Sequence, residues 1–375
     1  MSGPLSHLKI LDLSRVLAGP WATQFLGDLG AEVIKIEKPG QGDDTRAWGP
    51  PWFESGVSAY FTCTNRNKRS LAVDFTMPDG AARIRELAAE ADVVIENFKK
   101  GALARYGLDY PSLKAVKPDL VYCSITGFGQ TGPYADRAGY DALIQGMGGL
   151  MSITGEADGE PMKVGVAVVD LFTGMYAASG ILAALAHRDR TGEGQQIDLA
   201  LFDVQAAMLA NQAANYLATG RAPKRLGNAH PSICPYQAFE AEDGYLILAV
   251  GNDEQFAKFC RVAGHPQLAR DPNFATNPAR VANRQHLIGL LSELFLSRPR
   301  DWWIGELEAV GVPCGPINTL DEVFSDPQLL SRGMVLEQDG LKMVGNPLKF
   351  SGTPLGDPLS PPTLGGHSGG WRSRG

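Results

Sequence analysis

Short, almost wholly apolar segments recur through the first third of the chain, and helix-forming segments separate them. Strands buried on both faces of a parallel sheet have this composition, and the helices that connect them cover the two faces. The pattern therefore predicts an α/β fold built on a parallel sheet. The predicted strands are 8–14, 31–37, 69–75, 92–98 and 119–129, with helices at 19–29 and 78–90 between them.

Basic side chains recur in the loops that follow these strands, although the chain as a whole carries a formal charge of -7. Ligands of open parallel sheets bind beyond the carboxyl ends of the strands, where these loops meet. A single lysine or arginine there is typical of a solvated surface, but the set predicts an extended groove for a phosphorylated ligand. The set comprises Arg15, Lys35, Lys38, Arg46, Lys68, Arg69, Lys99, Lys100, Arg105 and Arg137.

The loops contain neither the GxGxxG sequence of dinucleotide-binding folds nor a P-loop, which disfavours the common nicotinamide and ATP enzymes. A pI near 5.5 disfavours nucleic acid and membrane surfaces as partners. We expect no membrane span, because the sequence shows no apolar run of about 18 residues without charge. The start of the chain lacks a signal-peptide pattern, and we expect a cytoplasmic protein. Five scattered cysteines without a CxxC pair predict no metal site.

A second, smaller α+β domain is predicted at 226–315. Two strands flank the turn pair Asp243-Gly244 there, and helices near 253–263, 283–296 and 300–310 follow. The large domain then spans 1–200, and a long helix at 202–218 lies in a linker at 201–225. Residues 316–375, rich in Gly, Pro and Ser, are expected to return to the large domain and pack on it without a core of their own.

A single carboxylate, Asp170, stands between a valine-rich segment and the long apolar run 171–187, which is predicted to be a helix. Aspartate is a preferred N-cap, so the residue could serve only to begin that helix. A carboxylate in an apolar wall is also poorly solvated and can act as a nucleophile. The residues alone leave both interpretations open.

Along nearly its whole length the chain resembles the class III CoA-transferases of the formyl-CoA transferase type. The matching segments occur in order and are evenly spread: "LDLSRVLAGP", "LGAEVIKIEKPGQGDDTRAWGP", "NRNKRS", "ENFKKGALARYGLDY", "SITGFGQTGPY", "AGYDALIQGMGGLMS", "KVGVAVVDLFTGMYAASGILAALAHRDRTGEGQQIDLAL" and "RLGNAHPSICPYQAF". The resemblance implies a Rossmann-like large domain, a smaller second domain and an interlocked homodimer. Coenzyme A and acyl-CoA would be substrates, with no permanently bound cofactor.

In that family the aspartate heading the buried helix, here Asp170, is the catalytic nucleophile, which favours the second interpretation. The resemblance further implies roles for residues around the CoA groove. Leu17 and Ala18 would contact the adenosine or pantetheine portion, and Asn97 and Phe98 the adenine side. Lys38, Lys68 and Arg105 would hold the phosphates, with Arg137 also among the CoA contacts. Tyr140 and Asp141 would border the thioester, and Trp48 would gate the acyl pocket.

Aspartate suits transfer between carboxylic acids, because its anhydride and its thioester lie close in energy to the acyl-CoA thioester. Backbone N–H groups of the glycine-rich segments 127–132 and 146–149 could stabilise the oxyanions, although plain turns would explain these glycines equally well.

Leu17 stands where formyl-CoA transferase has glutamine, and the glycine-rich lid of that enzyme has no evident counterpart here. The segments "RLGNAHPSICPYQAF" and "LAVGNDEQF" instead resemble the branch that acts on succinate, glutarate or itaconate, with succinyl-CoA as the expected donor. Two alternatives stay open. One is an α-methylacyl-CoA racemase-like enzyme, although the chain has "GYD" at 139–141 where racemases have "GHD". The other is a non-catalytic acyl-CoA-binding subunit.

Overall fold

The computed structural model describes residues 3–367 and 369–371, and the chain folds into two units. The first contains the residues up to Leu150, Lys163–Arg221 and the segment from Pro327 onward; the second contains Met151–Met162 and Ala222–Asp326. Residues 201–221 thus belong with the large unit and residues 316–326 with the small one, unlike the predicted domain limits. Residues 1, 2, 368 and 372–375 of the predicted domains lie outside the described residues.

Six parallel strands form the sheet of the first unit. They are β1 (Lys9–Asp12), β2 (Glu32–Glu37), β3 (Lys68–Ala72), β4 (Val93–Glu96), β5 (Val121–Thr126) and β6 (Gln196–Ala200). Their order is β3-β2-β1-β4-β5-β6, and Leu11 of β1 pairs with Ile34 on one side and Val94 on the other. This is the order of doubly wound, Rossmann-type sheets, in which the winding reverses between β1 and β4. The predicted α/β fold with a parallel sheet is confirmed.

Helices cover both faces of the sheet. The helices between Ala18 and Thr219 are α1 (Ala18–Asp28), α2 (Ala59–Thr62), α3 (Pro78–Glu90), α4 (Tyr110–Val116), α5 (Asp141–Met147), α6 (Leu150–Ile153), α7 (Val168–Thr191), α8 (Leu201–Met208) and α9 (Ala210–Thr219). Ile10 and Ile95 belong to the core shared with α1 and α7, whereas Leu11 and Val94 belong to the core shared with α3 and α4. Burial on both faces explains why the strand segments are almost wholly apolar.

The helix predicted at 202–218 is interrupted. The chain leaves α8 at Leu209, and Ala210, the first residue of α9, has a φ of 42°, in the left-handed region that breaks a continuous helix. Gly220 ends α9 with a φ of 66°, the left-handed conformation expected of a glycine that stops a helix.

Helix α7 is the long apolar helix of the first unit. Among the described residues it is the one helix long and apolar enough to cross a membrane, contrary to the expectation that no segment would be. One of its faces, from Val169 to Leu185, is buried in the core shared with α1 and the sheet. This is the arrangement of a core helix, which passes the same test of length and composition.

The second unit is built on three antiparallel strands, β7 (Tyr236–Ala241), β8 (Gly244–Ala249) and β9 (Cys314–Pro316). The predicted hairpin around Asp243-Gly244 is confirmed. The helices of this unit are α10 (Asp253–Val262), α11 (Asn277–Ala282), α12 (Arg284–Phe295), α13 (Arg300–Ala309) and α14 (Leu320–Ser325). An aromatic core holds them together, with the Phe239 and Phe295 rings stacked at 4.6 Å and Trp303 against Phe295 at 4.7 Å.

The C-terminal segment has more structure than predicted. It contains α15 (Pro327–Ser331) and a hairpin of β10 (Val335–Gln338) and β11 (Leu341–Val344), whose Leu341 and Met343 are buried. Beyond the hairpin, the described residues run along the first unit and bond to it. Asn67 N–H donates to the Leu359 carbonyl at 3.0 Å, and Trp371 Nε1 donates to the Leu87 carbonyl at 3.1 Å.

Candidate active site

The crevice in which doubly wound sheets bind ligands lies where the winding of the sheet reverses, which here is beyond the carboxyl ends of β1 and β4. Asn97, after β4, joins the loops that form it. Its Oδ1 accepts from Arg15 N–H at 2.9 Å, and its Nδ2 donates to the Arg15 carbonyl at 2.6 Å. The Arg15 guanidinium lies 4.8 Å from the centre of the Phe98 ring. Asn97 and Phe98 therefore stand at the position where doubly wound sheets bind nucleotides.

Three of the cations predicted to contact CoA are exposed at this edge: two of the predicted phosphate ligands, Lys38 and Arg105, and also Arg137. Lys38 follows the last residue of β2, Arg105 lies in the 3₁₀ turn Ala104–Tyr106 after β4, and Arg137 lies in the loop after β5. The Arg137 guanidinium stacks 4.6 Å from the Tyr134 ring centre, which extends it along the surface. All three side chains are accessible to an anionic ligand.

The prediction for Lys68 is wrong on geometric grounds. Its side chain is fully buried, and its ammonium donates to Asp12 at 3.1 Å, to the Pro20 carbonyl at 3.0 Å and to Asn65 at 3.0 Å. An ammonium has three donors, and all three are used inside the protein. Burial, the largest of the causes, lowers the pKa of Lys68 to about 8. Lys68 is a structural counter-ion to Asp12 and cannot reach a phosphate.

Leu17 and Ala18 also differ from their predicted roles. Both side chains are buried, at 5% and 2% exposure, and Leu17 is the N-cap residue of α1. The carbonyl of Ala18 faces Gly174 of α7 so closely that a Cβ on Gly174 would lie 2.6 Å from it. These residues set the contact between α1 and α7, and their side chains offer little surface to a ligand.

Asp170 lies in the first turn of α7 but does not cap it. The N-cap residue is Ala167, and the capping side chain comes from α5: Asp141 Oδ1 accepts from the N–H of Val169 at 2.8 Å and of Asp170 at 3.3 Å. The interpretation of Asp170 as an N-cap is therefore wrong. Within the described part of the chain, the Asp170 carboxylate has no hydrogen-bond donor, which leaves it available for reaction.

Gln145, which sequence analysis did not single out, orients Asp141. Its buried side chain donates from Nε2 to Asp141 Oδ2 at 2.6 Å and accepts at Oε1 from Val164 N–H at 2.9 Å. Asp141 thus accepts three hydrogen bonds, which fix the orientation of its carboxylate. The four-residue spacing of Asp141 and Gln145 on one helix face was the signal that could have identified this pair.

Burial, followed by the charge of Asp141, raises the pKa of Asp170 to about 7. Burial is the main reason why the pKa of Tyr60 is raised to about 12. Cys63, Asp170 and Asp141 raise it further, so Tyr60 lies close to both aspartates. The Tyr60 ring meets Trp48 edge-on at 5.0 Å. Trp48, a predicted acyl-pocket residue, is therefore linked through Tyr60 to the surroundings of Asp170.

Tyr140, the residue before α5, is 74% exposed. The residue before Tyr140, Gly139, lies so close to Gly127 that a Cβ on Gly127 would be 2.6 Å from the Gly139 Cα. This close contact fixes the backbone that leads into Tyr140. The structure thus brings Asp170, Asp141, Tyr140 and Trp48 into the region between α5, α7 and the loop after β2.

Four N–H groups of the glycine-rich segments already donate hydrogen bonds within the protein. Gly129 N–H donates to Thr126 Oγ1 at 2.8 Å, and Gln130 N–H donates to the Asp198 carboxylate at 3.0 Å. Gly148 and Gly149 N–H donate to the carbonyls of Ile144 and Gly146. These four groups are turn and helix-end donors, as expected if the glycines serve only to form turns.

Comparison with known proteins shows the family of the chain. The profile of CoA-transferase family III matches residues 5–368. A succinate–glutarate CoA-transferase of Agrobacterium fabrum is 54% identical over 97% of this chain and 94% of its own length. The succinyl-CoA:glutarate CoA-transferase of Homo sapiens is 47% identical over 97% of this chain and 84% of its own length.

Solved structures show the same fold over nearly the whole chain. A CAIB/BAIF family protein from Brucella suis superposes with a TM-score of 0.89 at 55% identity, covering 98% of each chain. Rv3272 from Mycobacterium tuberculosis gives a TM-score of 0.88 at 30% identity, again over 98% of each chain. The resemblance found in the sequence is confirmed, and the chain belongs to CoA-transferase family III.

Proposed function

We propose that this CoA-transferase moves CoA from succinyl-CoA to glutarate or a closely related dicarboxylate. The names of the Agrobacterium and human relatives support this substrate pair. The observation that carries the chemistry is the state of Asp170, a half-buried carboxylate without a hydrogen-bond donor in the described structure, whose pKa is raised to about 7. A carboxylate of raised pKa is a stronger nucleophile than an ordinary aspartate, and with a pKa of about 7 a substantial fraction of it is ionised at neutral pH.

In the first half of the reaction, an Asp170 carboxylate oxygen attacks the thioester carbonyl carbon of succinyl-CoA. The carbon–sulfur bond breaks, which gives a succinyl–aspartyl anhydride and CoA thiolate. The thiolate then attacks Cγ of Asp170 and releases succinate. An aspartyl-CoA thioester remains, and neither protons nor electrons are gained or lost.

In the second half, a carboxylate oxygen of glutarate attacks the same Cγ and expels the thiolate, which forms a second anhydride. The thiolate attacks the glutaryl carbonyl carbon, so that glutaryl-CoA forms and the Asp170 carboxylate is restored. Asp141 acts throughout as a fixed charge that keeps Asp170 basic and holds the first turn of α7 in place.

The CoA moiety is assigned to the crevice between β1 and β4. Asn97 and Phe98 lie where the adenine side is expected, and the exposed cations Lys38, Arg105 and Arg137 supply positive charge for the phosphates. Trp48 and Tyr140, both exposed, are assigned to the acyl end near Asp170. CoA and its thioesters enter as substrates, and the chemistry requires no permanently bound cofactor.

A cytoplasmic homodimer is the assembly that we propose. Phe172, Met175 and Tyr176 form an exposed apolar stripe on α7, with 47%, 37% and 49% exposure. Helix α9 contributes no buried residue within its own chain, and its Leu217 is 80% exposed. Apolar surface of this kind is typical of a face that a partner covers, and a second copy fits the interlocked dimer implied by the family resemblance.

The substitution Asp170→Asn tests the proposal. It should abolish transfer from succinyl-CoA to glutarate by several orders of magnitude, as loss of a covalent catalyst does, while CoA binding measured by calorimetry persists. Because Asp170 is costly to ionise in the folded protein, the neutral amide should raise the thermal stability at pH 8 rather than lower it. Asp189→Asn, at the exposed far end of the same helix, is the matched control.

Trapping provides a second measurement. Wild-type protein treated with succinyl-CoA and then hydroxylamine should carry the modification on Asp170, located by peptide mass spectrometry. A label on another carboxylate, or near-normal turnover of Asp170→Asn, would overturn the proposed mechanism. Transfer to monocarboxylates but not to glutarate would overturn the substrate assignment alone.

A further inference from the structure

The loop between β1 and α1 contains a strained residue that the proposed chemistry does not explain. Val16 has a φ of 69°, in the left-handed region. A β-branched residue seldom adopts this conformation, because its Cβ substituents crowd the neighbouring backbone. Strain of this kind persists only where the surrounding structure holds it.

Side chains from several elements hold the backbone of this loop. Lys35 Nζ, on β2, donates to the Ser14 carbonyl at 2.8 Å. Asp43, after β2, accepts from Val16 N–H at 3.2 Å. The Asn97 side chain accepts a hydrogen bond from the Arg15 N–H and donates one to the Arg15 carbonyl. The backbone of residues 14–16 is thus fixed by groups that lie far away in the sequence.

Lys35 and Asp43 form a fully buried ion pair at 2.9 Å. Asp43 also accepts from the N–H and the hydroxyl of Thr45 at 3.0 and 2.8 Å, and so caps the 3₁₀ turn Asp44–Ala47 that ends at Trp48. One carboxylate therefore connects the loop at the CoA crevice with the turn that carries the acyl-pocket tryptophan.

We infer that Asp43, held by Lys35, is a positioning residue that keeps residues 13–17 in the strained conformation that binds CoA. The inference rests on the proposed function, because it assigns the CoA crevice to this loop. Asp43 touches neither substrate nor the reacting atoms in this scheme; it acts through Val16 and through the turn before Trp48.

Steady-state kinetics test the inference. Asp43→Asn should raise KM for succinyl-CoA about tenfold or more with kcat within about threefold of wild type, the signature of lost uniform binding. Adding Val16→Gly should restore KM, because glycine adopts a φ near 69° without steric cost. A general loss of stability would not be repaired in this way. Lys35→Met/Asp43→Asn removes the pair without leaving a buried lysine charge and should behave like Asp43→Asn.

Asp28→Asn is the matched control. Asp28 and Arg66 form another buried ion pair in the same unit, with side-chain exposures of 5% and 7%. This variant should lose stability but keep the wild-type KM for succinyl-CoA. A KM raised equally in Asp28→Asn and in Asp43→Asn, or left unrescued by Val16→Gly, would overturn the inference.

Hydrogen exchange of the ligand-free protein separates this inference from the proposed function. Amides of residues 13–17 should exchange faster in Lys35→Met/Asp43→Asn than in wild type and in Asp28→Asn. Unchanged exchange would show that the ion pair does not hold the loop. If exchange is faster in the double variant but the wild-type protein does not bind CoA, the ion pair does hold the loop, and the assignment of the crevice to CoA is overturned.

Discussion

At the level of single residues, the site depends on two aspartates with opposite surroundings. Asp141 accepts hydrogen bonds from the first turn of α7 and from Gln145, whereas Asp170 accepts none in the described structure. Burial, followed by the charge of Asp141, raises the pKa of Asp170 to about 7. In the proposed mechanism Asp141 is the neighbouring charge, and Asp170 is the group whose ionisation decides activity.

The pH dependence of activity follows from this pair. Burial and Asp141 raise the pKa of Asp170 to about 7, so kcat/KM for succinyl-CoA should fall about tenfold per pH unit below that value, as the nucleophile becomes protonated. Asp141→Asn removes the like charge and should shift this acid limb to lower pH. Initial rates between about pH 5 and 9 measure the shift. An acid limb that is unmoved in Asp141→Asn but moved in the exposed control Asp189→Asn would contradict the assignment.

The proposed function divides the cations into exposed groups that bind CoA and a buried group that supports the fold. Lys38→Ala and Arg105→Ala should each raise KM for succinyl-CoA about tenfold or more with little change in kcat, since a charge-assisted contact is worth roughly 1.5–3 kcal/mol. Lys68→Met should instead destabilise the fold by about 3–5 kcal/mol, because it leaves Asp12 buried without its partner. Denaturant unfolding of the three variants checks the division; a stable Lys68→Met protein with a raised KM would contradict it.

At the level of elements, local signals predicted most of the structure. Proline in the first turn and the apolar spacing placed α3 at 78–90, and Asp243-Gly244 located the hairpin of the second unit. Two misplaced features depend on distant groups. The first turn of α7 is capped by Asp141, which lies in another helix, and the burial of Lys68 depends on Asp12, far away in the sequence. The interruption before α9 comes instead from the backbone of Ala210, whose φ of 42° is not indicated by an alanine in the sequence.

The contact between α1 and α7 fixes the position of Asp170 one turn away. A Cβ on Gly174 would lie 2.6 Å from the Ala18 carbonyl and 2.9 Å from the Trp21 ring, so Gly174→Ala must push the helices apart. We expect a loss of about 1–3 kcal/mol of unfolding free energy together with reduced kcat. Denaturant unfolding and single-turnover rates measure the two effects.

Gly180→Ala is the control for this contact. It lies on the same helix, but its Cβ would be 3.7 Å from Ile197, an ordinary packing distance. Because alanine is the better helix former, this variant should be neutral or stabilising by up to about 1 kcal/mol. Equal destabilisation by the two substitutions would show that the α1–α7 contact is not what constrains α7.

At the level of the whole molecule, the sequence predicted two folding units and a returning C-terminal segment, but not which residues belong to each. Residues 151–162 lie between two parts of the first unit and yet belong to the second, where Arg225 donates to the carbonyls of Glu156 and Gly159. Such a crossing depends on contacts with a segment more than sixty residues away. No local pattern of hydrophobicity marks it.

The exposed apolar stripe of α7 provides the test of assembly. If a second copy covers Phe172, Met175 and Tyr176, the protein should be a dimer by light scattering at micromolar concentration, and Met175→Glu should shift it toward monomer, because an unpaired charge in an apolar interface is costly. Lys114→Glu on α4, an exposed position far along the chain, should leave the dimer intact. A wild-type monomer at that concentration would contradict the proposed dimer. A dimer unaffected by Met175→Glu would place the interface away from this stripe. If Met175→Glu is monomeric, its rate of CoA transfer shows whether the second copy is needed for the reaction.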